Sequence, residues 1–103
     1  EINKMIDAAK KSLNDKNIFY DLIEKALLKT LFLKFSINIE NFNKEKIKSI
    51  SRYKGVDEKT ISKIIQLIEN CESAKYSRSS NSIMNNDLNN AREVINLILK
   101  NKQ

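Results

Sequence analysis

The chain contains no histidine, proline or tryptophan, and only one glycine and one cysteine among its 103 residues. Without histidine there is no imidazole base for a Ser-His or Cys-His nucleophile, and the commonest metal ligand is missing. The single cysteine, Cys71, cannot form an internal disulfide or supply the paired thiolates of a structural zinc site. The single glycine, Gly55, excludes the Walker phosphate loop and the dinucleotide fingerprint. Catalysis by the remaining carboxylates and lysines stays possible in principle, but no pattern in the sequence supports it. We expect no catalytic residues, no metal ion, no cofactor and no small-molecule ligand.

The scarcity of glycine and proline also favours an all-α fold, because the many tight turns of an all-β fold need those residues. The length is sufficient for one small domain with one core. Apolar residues recur at spacings of three and four, which predicts a compact bundle of four to five helices. The predicted helices span approximately residues 2–13, 16–35, 44–54, 57–75 and 83–100.

Several positions in these segments predict local structure. The second helix is apolar around most of its circumference and is expected at the centre of the bundle. Asp57 is placed to cap the fourth helix, and Gly55 to end the third in a left-handed conformation. Cys71 continues the apolar stripe of the fourth helix, which predicts a small buried hydrophobe, with a reactive redox-sensing thiol as the alternative.

The sequence also predicts which aromatic side chains are buried and how the connections between helices are arranged. Tyr53 is expected to join the buried pair Ile47 and Ile50 of the third helix. Phe19 is expected to pack inward, and each tyrosine to cover the core while its hydroxyl reaches water. Docking spots at Phe19 and Tyr20, or at Tyr76 beside Arg78, are the alternative. In the connections, Ile37 and Ile39 are expected to plug one end of the bundle, and residues 77–82 to form a surface loop.

The net charge of +6 comes from 19 basic and 13 acidic residues. A basic surface attracts nucleic acids and anionic membranes. The composition offers a second origin for the charge, since the chain has 15 Ile, 16 Lys and 14 Asn, three residues whose codons are rich in A and T. Drift of the coding sequence toward AT-richness would raise the lysine content without any functional demand.

The third helix, Gly55 and the fourth helix resemble a helix-turn-helix in outline. A recognition helix presents Arg, Asn or Gln at its N-terminal end to the bases. Here Asp57 and Glu58 stand at that end and would face the phosphate backbone unfavourably. A basic helical nucleic-acid-binding domain is therefore the alternative function, not the preferred one.

No segment of the sequence is predicted to cross a membrane. The most apolar run, Ile18 to Phe35, is interrupted by five charged residues, whereas a span needs roughly 20 predominantly apolar residues. No signal peptide is evident at the start. Because the chain opens on Glu1 and not on Met, we expect it to be a fragment of a longer protein.

Three segments carry a family resemblance. They are NIFYDLIEKAL from Asn17, GVDEKTI from Gly55 and CESAKYS from Cys71. In sequence and in order, the chain resembles the C-terminal domain of BatD, the bacterial oxygen-tolerance (aerotolerance) family, over essentially its whole length. The match is specific by order and spacing more than by any single motif, and none of the matching residues is catalytic.

The resemblance implies a larger membrane-anchored protein with an extracytoplasmic β-rich region, one transmembrane helix and this domain on the cytoplasmic side of the inner membrane. Lysines near the start suit a cytoplasmic flank. Family members are encoded beside von Willebrand A-domain membrane proteins, tetratricopeptide-repeat proteins and a MoxR-type AAA ATPase, and they are linked to oxidative or envelope stress. By this resemblance, the domain would be a non-catalytic adaptor or scaffold for these partners.

The resemblance supplies no binding residues, so the contact surface is predicted from charge. Basic residues of the third and fourth helices could meet an acidic partner or the anionic inner leaflet. The residues of this surface are Lys44, Lys48, Arg52, Lys59 and Lys63. Compositional drift is the competing explanation for the same lysines.

Overall fold

The computed structural model describes residues 2–36, 44–76 and 81–100, and the regular structure of these residues is entirely α-helical. The prediction of an all-α bundle of four to five helices is confirmed. The radius of gyration is 13.0 Å. The helices are α1 (Ile2–Lys11), α2 (Lys16–Phe35), α3 (Lys44–Tyr53), α4 (Glu58–Tyr76) and α5 (Asn81–Lys100).

The connection between α1 and α2 is longer than the sequence predicted, because it occupies residues 12–15. We expected the first helix to continue to residue 13, and this was wrong, because α1 ends at Lys11. The Ser12 hydroxyl donates to the Ala8 carbonyl at 2.9 Å, a bond that helps to close the last turn of the helix. Asp15 then caps α2 by accepting from the Ile18 amide at 3.3 Å.

The connection between α3 and α4 follows the prediction. Gly55 has φ 83°, in the left-handed region where a side chain would clash with the backbone. The Val56 amide donates to the Ser51 carbonyl at 3.0 Å, which satisfies one of the free carbonyls at the end of α3. Asp57 accepts from the Thr60 amide at 2.7 Å and therefore caps α4, as predicted.

The core is one cluster to which all five helices contribute. α2 packs against α1, α4 and α5, which confirms its central place. The predicted stripes of α4 and α5 are buried throughout, and Cys71 is fully buried, as expected of a small hydrophobe. The fourth-helix stripe consists of Ile61, Ile64, Ile65, Ile68 and Cys71, and the fifth-helix stripe of Met84, Leu88, Ala91, Ile95 and Ile98.

Other predictions about side chains and connections are corrected. Tyr53 does not join the core, because it points outward from the last turn of α3 and is 88% exposed. The Tyr20 hydroxyl does not reach water; it is buried and donates to Asp87. The expected loop ends earlier than residue 82, since α5 begins at Asn81. The expectations for Ile37 and Ile39 concern residues outside the described part of the chain.

The central helix α2 is not covered on every side. Ile18, Phe32 and Leu33 are each more than half exposed, although α2 packs against three other helices. Among the described residues, no helix is both long and apolar enough to cross a membrane.

Candidate interaction surface

The five basic residues predicted to form a contact surface lie on two packed helices. Lys44, Lys48 and Arg52 follow one another at intervals of four on α3, and therefore share one face of that helix. Lys59 and Lys63 lie on α4, also four residues apart. The structure gives four of these five residues a carboxylate partner.

Lys44 joins the start of α3 to the middle of α4. Its Nζ lies 3.6 Å from an Oε of Glu69 and 3.4 Å from an Oε of Glu72. The hydrogen bond with Glu72 raises the pKa of Lys44 above its usual value, and the charge of Glu69 adds to this effect. All three side chains keep substantial contact with solvent, so the cluster contributes little to stability and mainly fixes where the charges stand.

Lys48 and Arg52 continue the same face of α3. Lys48 lies 3.9 Å from Glu45 within the helix, and the Arg52 Nε donates to Glu58 at 2.7 Å. The hydrogen bond with Glu58 raises the pKa of Arg52. Because Glu58 opens α4, the Arg52 pair ties the end of one helix to the beginning of the next.

Lys59 and Lys63 lie on α4 but do not pair with residues of α3. Lys63 donates to Glu93 of α5, and this hydrogen bond lowers the pKa of Glu93 below its usual value. Lys59 is exposed and makes no ion pair with any described residue, although its charge contributes to the lowered pKa values of Asp57 and Glu93. The five predicted residues therefore do not form one continuous basic patch.

A recess lies between α3 and α4 where the charged faces meet. It has a volume of about 280 Å³. Ile61 and Ile65 line its apolar part, Ser62 and Gln66 lie beside them, and charges of both signs surround them. These charges come from Lys48, Arg52, Glu58 and Glu69. Below, "the α3–α4 recess" refers to these eight residues.

The acidic residues of this surface were not predicted to belong to it. Glu58, Glu69 and Glu72 fall at intervals of eleven and three along α4, so they share one face. The basic residues of α3 share one face as well. The joint pattern of basic residues on α3 and acidic residues on α4 was the signal that could have predicted their pairing.

A second, smaller recess of about 180 Å³ lies between α4 and α5. Lys63 and Glu93 stand at it together with three carboxamides, Gln66, Asn70 and Asn90. The Gln66 side chain donates from Nε2 to Asn70 Oδ1 at 3.0 Å, so two of these carboxamides are hydrogen-bonded to each other. Within residues 2–36, 44–76 and 81–100, no group of three or more acidic or cysteine side chains is arranged to hold a metal ion.

The charge distribution limits what this surface can bind well. A polyanion approaching α3 and α4 would meet Glu58, Glu69 and Glu72 together with the basic residues, and repulsion would offset attraction. A partner with charges of both signs and an apolar side chain would match the α3–α4 recess better. Comparisons of the chain with family models, with curated proteins and with solved structures each found no match.

Proposed function

We propose that this chain is a non-catalytic protein-interaction domain, an adaptor or scaffold, of a BatD-like oxygen-tolerance membrane protein. It would lie on the cytoplasmic side of the inner membrane and act with von Willebrand A-domain proteins and a MoxR-type AAA ATPase in oxidative or envelope stress. The family assignment depends on the three resembling segments and their order in the sequence. The interaction role depends on the α3–α4 recess.

The α3–α4 recess is the observation that carries the proposal. Protein interfaces concentrate their binding energy in small desolvated pockets that a rim of polar contacts shields from water. Here Ile61 and Ile65 lie at the base of the recess, where they are only 2% and 9% exposed. Polar and charged side chains form the rest of the lining, and two of the ion pairs on this surface include Arg52, Glu58 and Glu69. An apolar side chain of a partner could enter between the two helices, while charges of both signs set its orientation.

The charged residues of the α3–α4 recess indicate which kind of partner surface would fit it. Lys48 and Arg52 would attract carboxylates of the partner, and Glu58 and Glu69 would attract its basic side chains. A folded protein surface of mixed charge meets this requirement. The MoxR-type ATPase and the A-domain proteins of the same genome are the partners to test first.

The experiment measures binding of the purified chain to each purified partner by calorimetry, with nuclease treatment of all samples. Charge reversal with Lys48→Glu and Arg52→Glu is expected to weaken binding at least about tenfold, because it replaces the positive charges of the α3–α4 recess with negative ones. Ser62→Trp fills the recess without changing any charge and is expected to weaken binding as strongly. Both sites are at the surface, so the fold should persist.

Two matched variants control for nonspecific effects. Lys4→Glu with Lys11→Glu reverses the same amount of charge on α1, and Ser49→Trp adds an indole at an exposed position of α3 outside the recess. Both controls should bind like the original chain. The proposal fails if neither partner binds, or if the controls weaken binding as much as the recess variants. Salt-sensitive recovery of nucleic acid alone would favour a nucleic-acid-binding domain.

A further inference from the structure

The exposed side of α2 carries three large apolar side chains. Ile18 and Phe32 are each 51% exposed and Leu33 is 57% exposed. Lys25 and Lys29 stand between them at positions seven and eleven residues after Ile18, which places all five on one side of the helix. We refer to Ile18, Lys25, Lys29, Phe32 and Leu33 as the α2 ridge. Its apolar ends are about 21 Å apart at the rise of an α-helix.

The first two helices, α1 and α2, together carry a net positive charge. Residues 2–36 contain seven lysines and four acidic residues, which is half of the net charge of the chain. Lys25 pairs with Asp21 at 3.1 Å, but both side chains are more than half exposed, so water screens the pair. α1 packs along α2 and adds Lys4, Lys10 and Lys11, which are exposed and make no ion pair with any described residue.

A tyrosine stands beside the Ile18 end of the ridge. Tyr76, at the end of α4, is 92% exposed and lines a shallow recess together with Asn17, Ile18 and Asp21. Tyrosine combines an apolar ring with a polar hydroxyl and is enriched where apolar and aqueous phases meet. The ridge thus has exposed apolar side chains at both ends and lysines at its centre.

We propose that the α2 ridge binds an anionic lipid surface. Ile18, Phe32 and Leu33 enter the boundary between headgroups and acyl chains, while the ammonium groups of Lys25 and Lys29 extend to the lipid phosphates. The ridge is the outward side of a helix and not a groove. A flat surface that is anionic outside and apolar beneath contacts both of its ends at once.

A second copy of the chain fits the ridge less well. In an antiparallel pair of ridges, Ile18 of each copy would meet Leu33 of the other. Lys25 would then lie opposite its own equivalent near the twofold axis, because residue 25 is midway between those ends. Like charges at the centre of an interface oppose association. An anionic bilayer attracts Lys25 and Lys29, whereas a second copy repels Lys25. The α2 ridge lies on a different face from the α3–α4 recess, so this inference stands apart from the adaptor function.

The absence of tryptophan permits a direct test. Phe32→Trp places the only indole of the chain on the ridge, and Tyr53→Trp places it at an exposed position of α3. Each variant is titrated with vesicles of phosphatidylglycerol and phosphatidylcholine, and with vesicles of phosphatidylcholine alone. We expect a blue shift of the Phe32→Trp emission with anionic vesicles that declines with added salt, and no shift for Tyr53→Trp.

Sedimentation with the same vesicles tests the individual side chains. Phe32→Ser with Leu33→Ser should reduce partitioning at least about tenfold, and Lys25→Gln with Lys29→Gln by a similar factor. The matched controls are Tyr53→Ser with Leu99→Ser and Lys54→Gln with Lys59→Gln, and both should partition like the original chain. Lys48→Gln with Arg52→Gln removes as much charge as Lys54→Gln with Lys59→Gln and should reduce partitioning no more than that control does, which separates this proposal from the adaptor function.

Three results would overturn the proposal. The first is no binding to anionic vesicles. The second is an equal loss of partitioning in the control variants. The third is a dimer of the original chain in analytical ultracentrifugation that Phe32→Ser with Leu33→Ser converts to a monomer, since a second copy would then be the occupant of the ridge.

Discussion

At the scale of single residues, the most consequential contact is a buried hydrogen bond between α2 and α5. The Tyr20 hydroxyl donates to Asp87 Oδ2 at 2.5 Å across 67 residues of sequence, and both side chains are buried. The ring of Phe19 packs edge-on against that of Tyr20, with centroids 4.9 Å apart, and helps to fix its position. A buried carboxyl is costly unless it is hydrogen-bonded, so this contact stabilises the observed packing of α5 on α2.

We predict that Tyr20→Phe destabilises the fold by about 1–3 kcal/mol, because it removes the only hydrogen bond that the described residues give to the buried Asp87 carboxyl. Asp87→Asn should destabilise the fold less than Tyr20→Phe does, since a carboxamide oxygen can still accept the hydrogen bond from the Tyr20 hydroxyl. Urea denaturation followed by circular dichroism measures both effects. Tyr53→Phe is the matched control, because that side chain is exposed and its variant should leave the midpoint unchanged. Equal midpoints for Tyr20→Phe and the original chain would contradict the prediction.

At the scale of elements, the sequence predicted the existence of the helices better than the residues at which they end or the ion pairs that join them. The stripes of α4 and α5 were predictable because apolar spacing depends only on the helical repeat. The end of α1 was not, because it depends on the connection that follows and on the Ser12 hydroxyl bond. The spacing of the basic residues of α3 and of the acidic residues of α4 indicated that the two faces could pair. Which residues meet, as Lys44 does with Glu69 and Glu72, depends on how the two helices pack.

The two left-handed residues among the described positions give a matched pair of predictions for helix ends. Ser36, with φ 56°, caps α2 through its backbone amide, whereas Gly55, with φ 83°, follows α3. Only glycine adopts this conformation without a steric cost. Ser36→Gly should therefore stabilise the fold by about 0.5–1 kcal/mol, and Gly55→Ala should destabilise it by about 1–2 kcal/mol. Chemical denaturation measures both, and a shift of the same sign in the two variants would contradict the argument.

At the scale of the whole molecule, one core holds two separate surfaces in place. The same cluster of apolar residues packs α2 against α1, α4 and α5, and α3 against α4. The α3–α4 recess and the α2 ridge therefore occupy fixed positions relative to this core. The net charge was predictable from the sequence. Its distribution was not, because packing pairs the basic residues of α3 with carboxylates of α4, while Lys4, Lys10 and Lys11 of α1 make no ion pair with any described residue.

The single cysteine gives a measure of how rigidly this core holds together. Cys71 is fully buried on α4, so a thiol reagent can reach it only after the core opens. We predict that dithionitrobenzoate labels the native chain at least about a thousandfold more slowly than the urea-unfolded chain, given the usual stability of small domains. The labelling rate should increase with urea in parallel with the loss of helical circular dichroism. Cys71→Ala with Ser49→Cys places the thiol at an exposed position of α3 and should react rapidly in the native state. Rapid labelling of Cys71 while the helical signal is intact would show that α4 separates from the core without global unfolding.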